Sequence, residues 1–151
     1  MSSGSAQITI NRPASEVWKA ITDVTRMGDW SPECVAGRWV GGVAGPAVGA
    51  TFEGDNVVKV AGRTVKKWTT TSKVTACEPG VVFEFVAEGY TTWRYDFVAT
   101  GDTSTTVTES FDYTAKGFMG VVYDRILFRP KAMTKGMNST LGRAKSTLEK
   151  V

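Results

Sequence analysis

The sequence predicts an α+β domain in which a seven-stranded antiparallel sheet curves around a long C-terminal helix, with two short helices after the first strand. Three observations predict it. Five runs of β character fill Thr51 to Tyr113 with only short turn signals between them, which makes an antiparallel meander. Met133, Met137, Thr140, Leu141, Ala144 and Leu148 recur at spacings of three and four, the period of a single helix face. A sheet of this size has a face to cover, and only that last helix is long enough to cover it. If the sheet curves deeply, helix and sheet do not close completely and a cavity remains.

Each element has its own signal. Gln7–Ile10 reads as a short strand stopped by Asn11-Arg12-Pro13. Proline suits a first helical turn, and Val17, Ala20, Ile21 and Val24 follow at helical spacing, so a helix is expected from Pro13 to about Asp23. VTRMGDWSP gives a second short helix that ends before Pro32. A strand near Val35–Val40 precedes GGVAGPAVGA, a glycine-rich connector without the spacing of a phosphate loop. The five runs are Thr51–Val60, Val65–Cys77, Val81–Ala87, Thr91–Ala99 and Thr105–Tyr113. Ala-Gly-Arg, Glu-Pro-Gly, Glu-Gly and Thr-Gly-Asp separate them. A helical segment is expected over Phe118–Phe128, with Pro130 beginning or kinking the long helix.

Composition narrows the function. At 151 residues, 42% apolar and 22% charged, the chain fits one domain, residues 1–151, with a sizeable core. No apolar run is long enough to span a bilayer, and MSSGSAQ lacks the parts of a signal peptide. Cys34 and Cys77 have no metal or redox spacing, so reduced thiols and a cytoplasmic location are expected. There is no histidine, which removes Ser/His and Cys/His nucleophilic pairs and histidine-ligated metals. No metal and no cofactor are expected. Residues 115–151 hold 8 basic and 2 acidic side chains, against 10 and 13 in residues 1–114. The basic tail, including Arg125, Arg129, Lys131, Lys135, Arg143 and Lys145, is read as a solvated face. No nucleic acid, no integral membrane association and no anionic-membrane contact through these residues are expected. The protein is taken as a monomer or dimer.

The segments RPASEVWKAITDVTRMGDWSP, FEGDN, TTWRYDFVATGDTSTTVTESF and GMNSTLGRAKSTLE together resemble the START-like (SRPBCC) superfamily. This is the polyketide cyclase/dehydrase and lipid-transport group, related to birch-pollen-allergen-type proteins. The resemblance covers nearly the whole chain and implies a helix-grip fold with a hydrophobic cavity. Members bind lipids, sterols, polyketides, quinones or plant hormones, and a minority are cyclases or aromatases. Single-domain chains of this pattern are typical of bacteria.

Strand alternation then assigns the concave face. The inward residues would be Phe52, Gly54, Asn56, Val58 and Val60 on one strand and Trp68, Thr70, Ser72, Val74 and Ala76 on the next. Val81, Phe83 and Phe85 follow, then Trp93, Tyr95 and Phe97, and last Val107, Glu109, Phe111 and Tyr113. A single bulge would shift any set by one. The resemblance puts Trp30 and Phe118 beside the cavity mouth, and Met133 and Met137 face it from the helix. Aromatic walls with a few polar groups are the composition of a small-molecule pocket. A small hydrophobic ligand, carried or sensed, is therefore the first expectation. A cyclase/dehydrase-type enzyme using Glu109 with Tyr95, Tyr113 and Asn56 is the second, and a protein-interaction module the third. Glu109 is the one candidate catalytic residue. Amid Val107, Phe111 and Tyr113 it should be buried, uncharged and bonded to a tyrosine hydroxyl or a ligand.

Overall fold

The computed structural model describes residues 2–113 and 129–150. The strands are β1 (Ser2–Ile10), β2 (Cys34–Val40), β3 (Thr51–Val60), β4 (Arg63–Glu78), β5 (Val82–Ala87), β6 (Thr91–Gly101) and β7 (Ser104–Tyr113). Between β1 and β2 lie α1 (Ala14–Thr22), a 3-10 turn (Val24–Arg26) and α2 (Met27–Trp30), and the chain closes with α3 (Arg129–Leu148). The sheet runs β1-β7-β6-β5-β4-β3-β2, antiparallel throughout. This is the helix-grip architecture that the sequence predicts. The helical segment expected over Phe118–Phe128 lies outside the described residues.

The helices start and stop where their prolines dictate. Pro13 immediately precedes α1, which buries Val17, Trp18, Ala20 and Ile21. The Trp18 indole donates to the Val82 carbonyl at 3.1 Å and so fixes α1 to the start of β5. Pro32 forces Ser31 into extended backbone, ψ 130°, which ends α2. The Ser31 hydroxyl oxygen then accepts from the Glu33 and Cys34 amides and turns the chain into β2. Two glycines let these elements approach β2 closely. A Cβ on Gly28 would lie 2.2 Å from the Val35 carbonyl oxygen, and one on Gly37 would lie 2.3 Å from that of Val24.

The strand β1 is longer than expected. Ser2 to Ala6 are small and carry no apolar alternation, yet they pair in register with β7, from Ser2 opposite Tyr113 to Ile10 opposite Thr105. Their size lets α3 settle onto this edge, for a Cβ on Gly4 would meet the Phe111 ring and the Thr134 hydroxyl at 2.8 Å. The far end of α3 is tied to the end of β1 and the turn after it. Arg12 Nε donates to the Leu148 carbonyl at 2.9 Å, Lys145 Nζ to the Thr9 carbonyl at 2.8 Å, and the Asn11 amide to Glu149 Oε2 at 2.8 Å. A guanidinium on the last helical carbonyls also suits the negative end of the helix dipole.

The register breaks at four places among the described residues, and two of them correct the alternation. Between Val74 and Ala76 a bulge sets Ala76 opposite the outward Glu84 and Cys77 opposite Phe83. Cys77, rather than Ala76, therefore packs on the core. A second bulge between Val58 and Lys59 lies near the β3–β4 turn, and Val60 is exposed there. Val81 precedes β5 and is exposed as well. The core itself is formed by Ile10, Val17, Val24, Val74, Phe83, Val107, Met137 and Leu141, all essentially closed to solvent.

Candidate ligand cavity

Sheet and α3 enclose a cavity of about 800 Å³. Its walls are apolar and aromatic: Phe52 and Phe85, edge to face at 4.9 Å, then Trp68, Trp93, Met133 and Met137. Phe52 also meets Trp39 edge-on at 5.5 Å. Trp30 closes one side from α2, almost wholly buried, with the Arg26 guanidinium 4.8 Å above its ring. Trp93 is half-buried and leans on Phe111 at 5.6 Å.

Glu109 is the polar centre. It lies on β7 between Ala6 of β1 and Tyr95 of β6, with 4% of its surface exposed. The Tyr95 hydroxyl donates to Glu109 Oε2 at 2.9 Å, while Oε1 has no hydrogen-bond partner among the described residues. Burial drives the carboxyl up to about 8, and the tyrosine bond offsets this only in part. The same burial, together with the adjacent carboxylate, pushes the Tyr95 phenol well above its ordinary 10. Arg94 gives no help. It lies on the opposite face, bonded to Glu84 and Asp96, each at 3.0 Å. At neutral pH Glu109 is consequently a neutral acid. With Oε2 accepting from Tyr95, its proton belongs on Oε1.

The remaining polar groups are spread along the wall. Asn56 Nδ2 is held by the Gly54 carbonyl and the Thr70 hydroxyl, each at 3.1 Å. Ser72, Thr91, Tyr113 and Thr140 also line the cavity, Thr140 with its hydroxyl donated to the Gly136 carbonyl at 2.9 Å. Cys34 contributes a thiol that burial raises to about 11, so it is a poor nucleophile. At the open end stand Val58, Lys59, Lys66, Glu88 and Tyr90.

Of the residues that the sequence nominates, Trp30, Phe52, Asn56, Trp68, Ser72, Phe85, Trp93, Tyr95, Glu109, Met133 and Met137 line this cavity. Phe83 and Phe111 do not. Both point inward as alternation requires, but their rings pack into the core, Phe83 against Phe85 at 5.6 Å. Phe118 lies outside the described residues. Met27, Cys34 and Tyr90 reach the cavity from a short helix, an irregular strand start and a turn, where no periodicity signals them. Thr140 was readable, since it shares the helical stripe of Met133 and Met137.

A curved sheet gripping one helix around an apolar cavity defines a START-like domain. The model of the family "Polyketide cyclase / dehydrase and lipid transport" matches residues 1–149, and the chain belongs to that family. A Polyketide_cyc-like protein from Corynebacterium glutamicum, solved in solution, is 32% identical, with a TM-score of 0.67 over 97% of this chain and 91% of that one. A protein from Chromobacterium violaceum shares the fold at 11% identity, with a TM-score of 0.72 and 97% of both chains covered. The di-domain ARO/CYC BexL from the BE-7585A biosynthetic pathway shares it at 20% identity and a TM-score of 0.67, and there 95% of this chain covers 48% of the other. No curated protein matches.

Proposed function

We propose that the protein binds a small hydrophobic molecule in this cavity, its one polar end seated on the Glu109–Tyr95 pair. The carrying observation is Glu109 Oε1, without a hydrogen-bond partner among the described residues and buried in the wall of an apolar space of about 800 Å³, the size that takes a drug-sized ligand. A buried polar atom without a partner is expensive unless something supplies the bond. A ligand carbonyl or hydroxyl oxygen would accept from Oε1, while aromatic walls take the apolar body. Family membership agrees with such a ligand, lipid or polyketide in kind.

A second reading is favoured by the same pair. A carboxyl near 8 can both give and take a proton at neutral pH, and a phenol at 2.9 Å can steady the charge that results. A cyclase/dehydrase would use Glu109 to polarise a ketone or to take a proton beside it.

Native mass spectrometry of protein from its source, with extraction of what co-purifies, identifies the ligand. A naphthalene-type fluorescent probe should bind saturably and quench tryptophan emission, and Glu109→Gln should alter its affinity or the pH dependence of that affinity. Absence of probe binding up to the solubility limit would overturn the binding reading. Turnover of a poly-ketone analogue by the wild type, lost in Glu109→Gln, would establish the enzyme.

A further inference from the structure

The tip of the β3–β4 hairpin has a composition that a solvated turn does not need. Val60 and Val65 are 60% and 61% exposed, five residues apart in sequence. Around them stand Lys59, Arg63, Lys66 and Lys67, all exposed, and no acidic residue occurs from Asn56 to Cys77. Lys59, Arg63 and Lys67 form no ion pair among the described residues. Lys66 sits over the Trp68 ring at 5.2 Å.

The backbone keeps this tip apolar and cationic. Val60 pairs with Arg63, so Ala61 and Gly62 form a two-residue turn with φ of 52° and 80°. Asparagine, aspartate or glycine fills the first of these positions at lower strain, yet alanine stands there. The bulge completes the arrangement. It sets Lys66 opposite Val58, leaving Val65 unpaired and outside. The hairpin rises beside the open end of the cavity, where Val58, Lys59, Lys66 and Tyr90 belong to the lining. Tyr90, itself 44% exposed, adds an aromatic group of the kind found at membrane–water interfaces.

We propose that this hairpin tip docks the protein on an anionic lipid bilayer, with Val60 and Val65 entering the headgroup layer and the flanking cations facing lipid phosphates. The cavity mouth is then turned to the membrane, so an apolar ligand passes between bilayer and cavity without crossing water. That purpose rests on the ligand reading above; the docking itself does not. Valines at the apex favour lipid over nucleic acid, which would call for stacking aromatics or base-reading groups there. The surface is also separate from the basic stripe of α3.

Flotation of the full chain with vesicles tests it. One set is phosphatidylcholine alone, and the other contains about one-third phosphatidylglycerol. The wild type should float with the anionic vesicles only, and less so as salt is raised. Lys59→Gln, Arg63→Gln and Lys67→Gln together should weaken binding by about 100-fold, at roughly five-fold per cation. Val60→Ser with Val65→Ser should also release it, whereas Lys131→Gln, Lys135→Gln and Arg143→Gln should not. These side chains are exposed, and unchanged melting temperatures would confirm intact folds. The proposal is overturned by absence of flotation, or by flotation that survives the hairpin changes and is lost with those on α3. It is equally overturned if single-stranded DNA binds more tightly than vesicles and the valine substitutions leave that binding unchanged. Vesicle binding without probe binding would sink the ligand reading and leave the docking site standing.

Discussion

Glu109 is the residue whose chemistry most affects both stability and function. Its folded value of about 8 lies above the unfolded 4.5, so between these pH values the unfolded chain sheds a proton that the folded chain keeps. The stability that this group contributes is therefore full below about pH 4.5 and falls as pH rises toward 8, by up to about 1.4 kcal/mol per pH unit. Urea unfolding at several pH values should show this decline in the wild type and its absence in Glu109→Gln. Glu109→Leu removes the buried carboxyl but orphans the Tyr95 hydroxyl, at a penalty of about 1–3 kcal/mol. Glu109→Leu with Tyr95→Phe should accordingly be more stable than Glu109→Leu alone. If the second change adds nothing, water satisfies the phenol. Glu109 was legible because β7 pairs without a break on both sides beside it, so alternation placed it correctly. Phe83 and Phe111 show the limit: alternation gives the face, while depth depends on what packs above.

At the scale of elements, the close packing of the 3-10 turn and α2 on β2 positions Trp30 against the cavity. Gly37 permits it, since any side chain there would strike the Val24 carbonyl. Gly37→Ala should destabilise the domain by about 1–3 kcal/mol, read by urea unfolding, and should shift probe affinity because α2 moves with the displaced turn. An unchanged stability would mean that the turn yields freely. The sequence showed every strand and helix of the described residues, because their turn residues and prolines act locally. It did not show the length of β1 or the bulge in β4. Ser2 to Ala6 become a strand only through pairing with β7, and the displacement of Ala76 by Cys77 is settled by what β5 presents. Both are decided by a partner remote in the chain.

At the scale of the whole molecule, the first and the last elements depend on each other. β1 hydrogen-bonds to β7, and α3 lies against β1 with its end fastened to Arg12 and Thr9. On a ribosome this imposes an order. β1 is synthesised roughly a hundred residues before its neighbour β7, and α3, the lid of the apolar concavity, emerges after every strand. Until then the aromatic inner face of the meander is open to water and to other chains. Closing so long a loop is slow, and a domain that lacks only α3 is as exposed as one that lacks more. A chain halted after β6 should show no cooperative melting and should aggregate, which calorimetry and light scattering would register. A truncated chain that melts sharply would mean that the meander is self-sufficient. Translation thus leaves this domain unprotected until α3 arrives, and the interval in which it needs a chaperone is nearly the whole of the domain's synthesis.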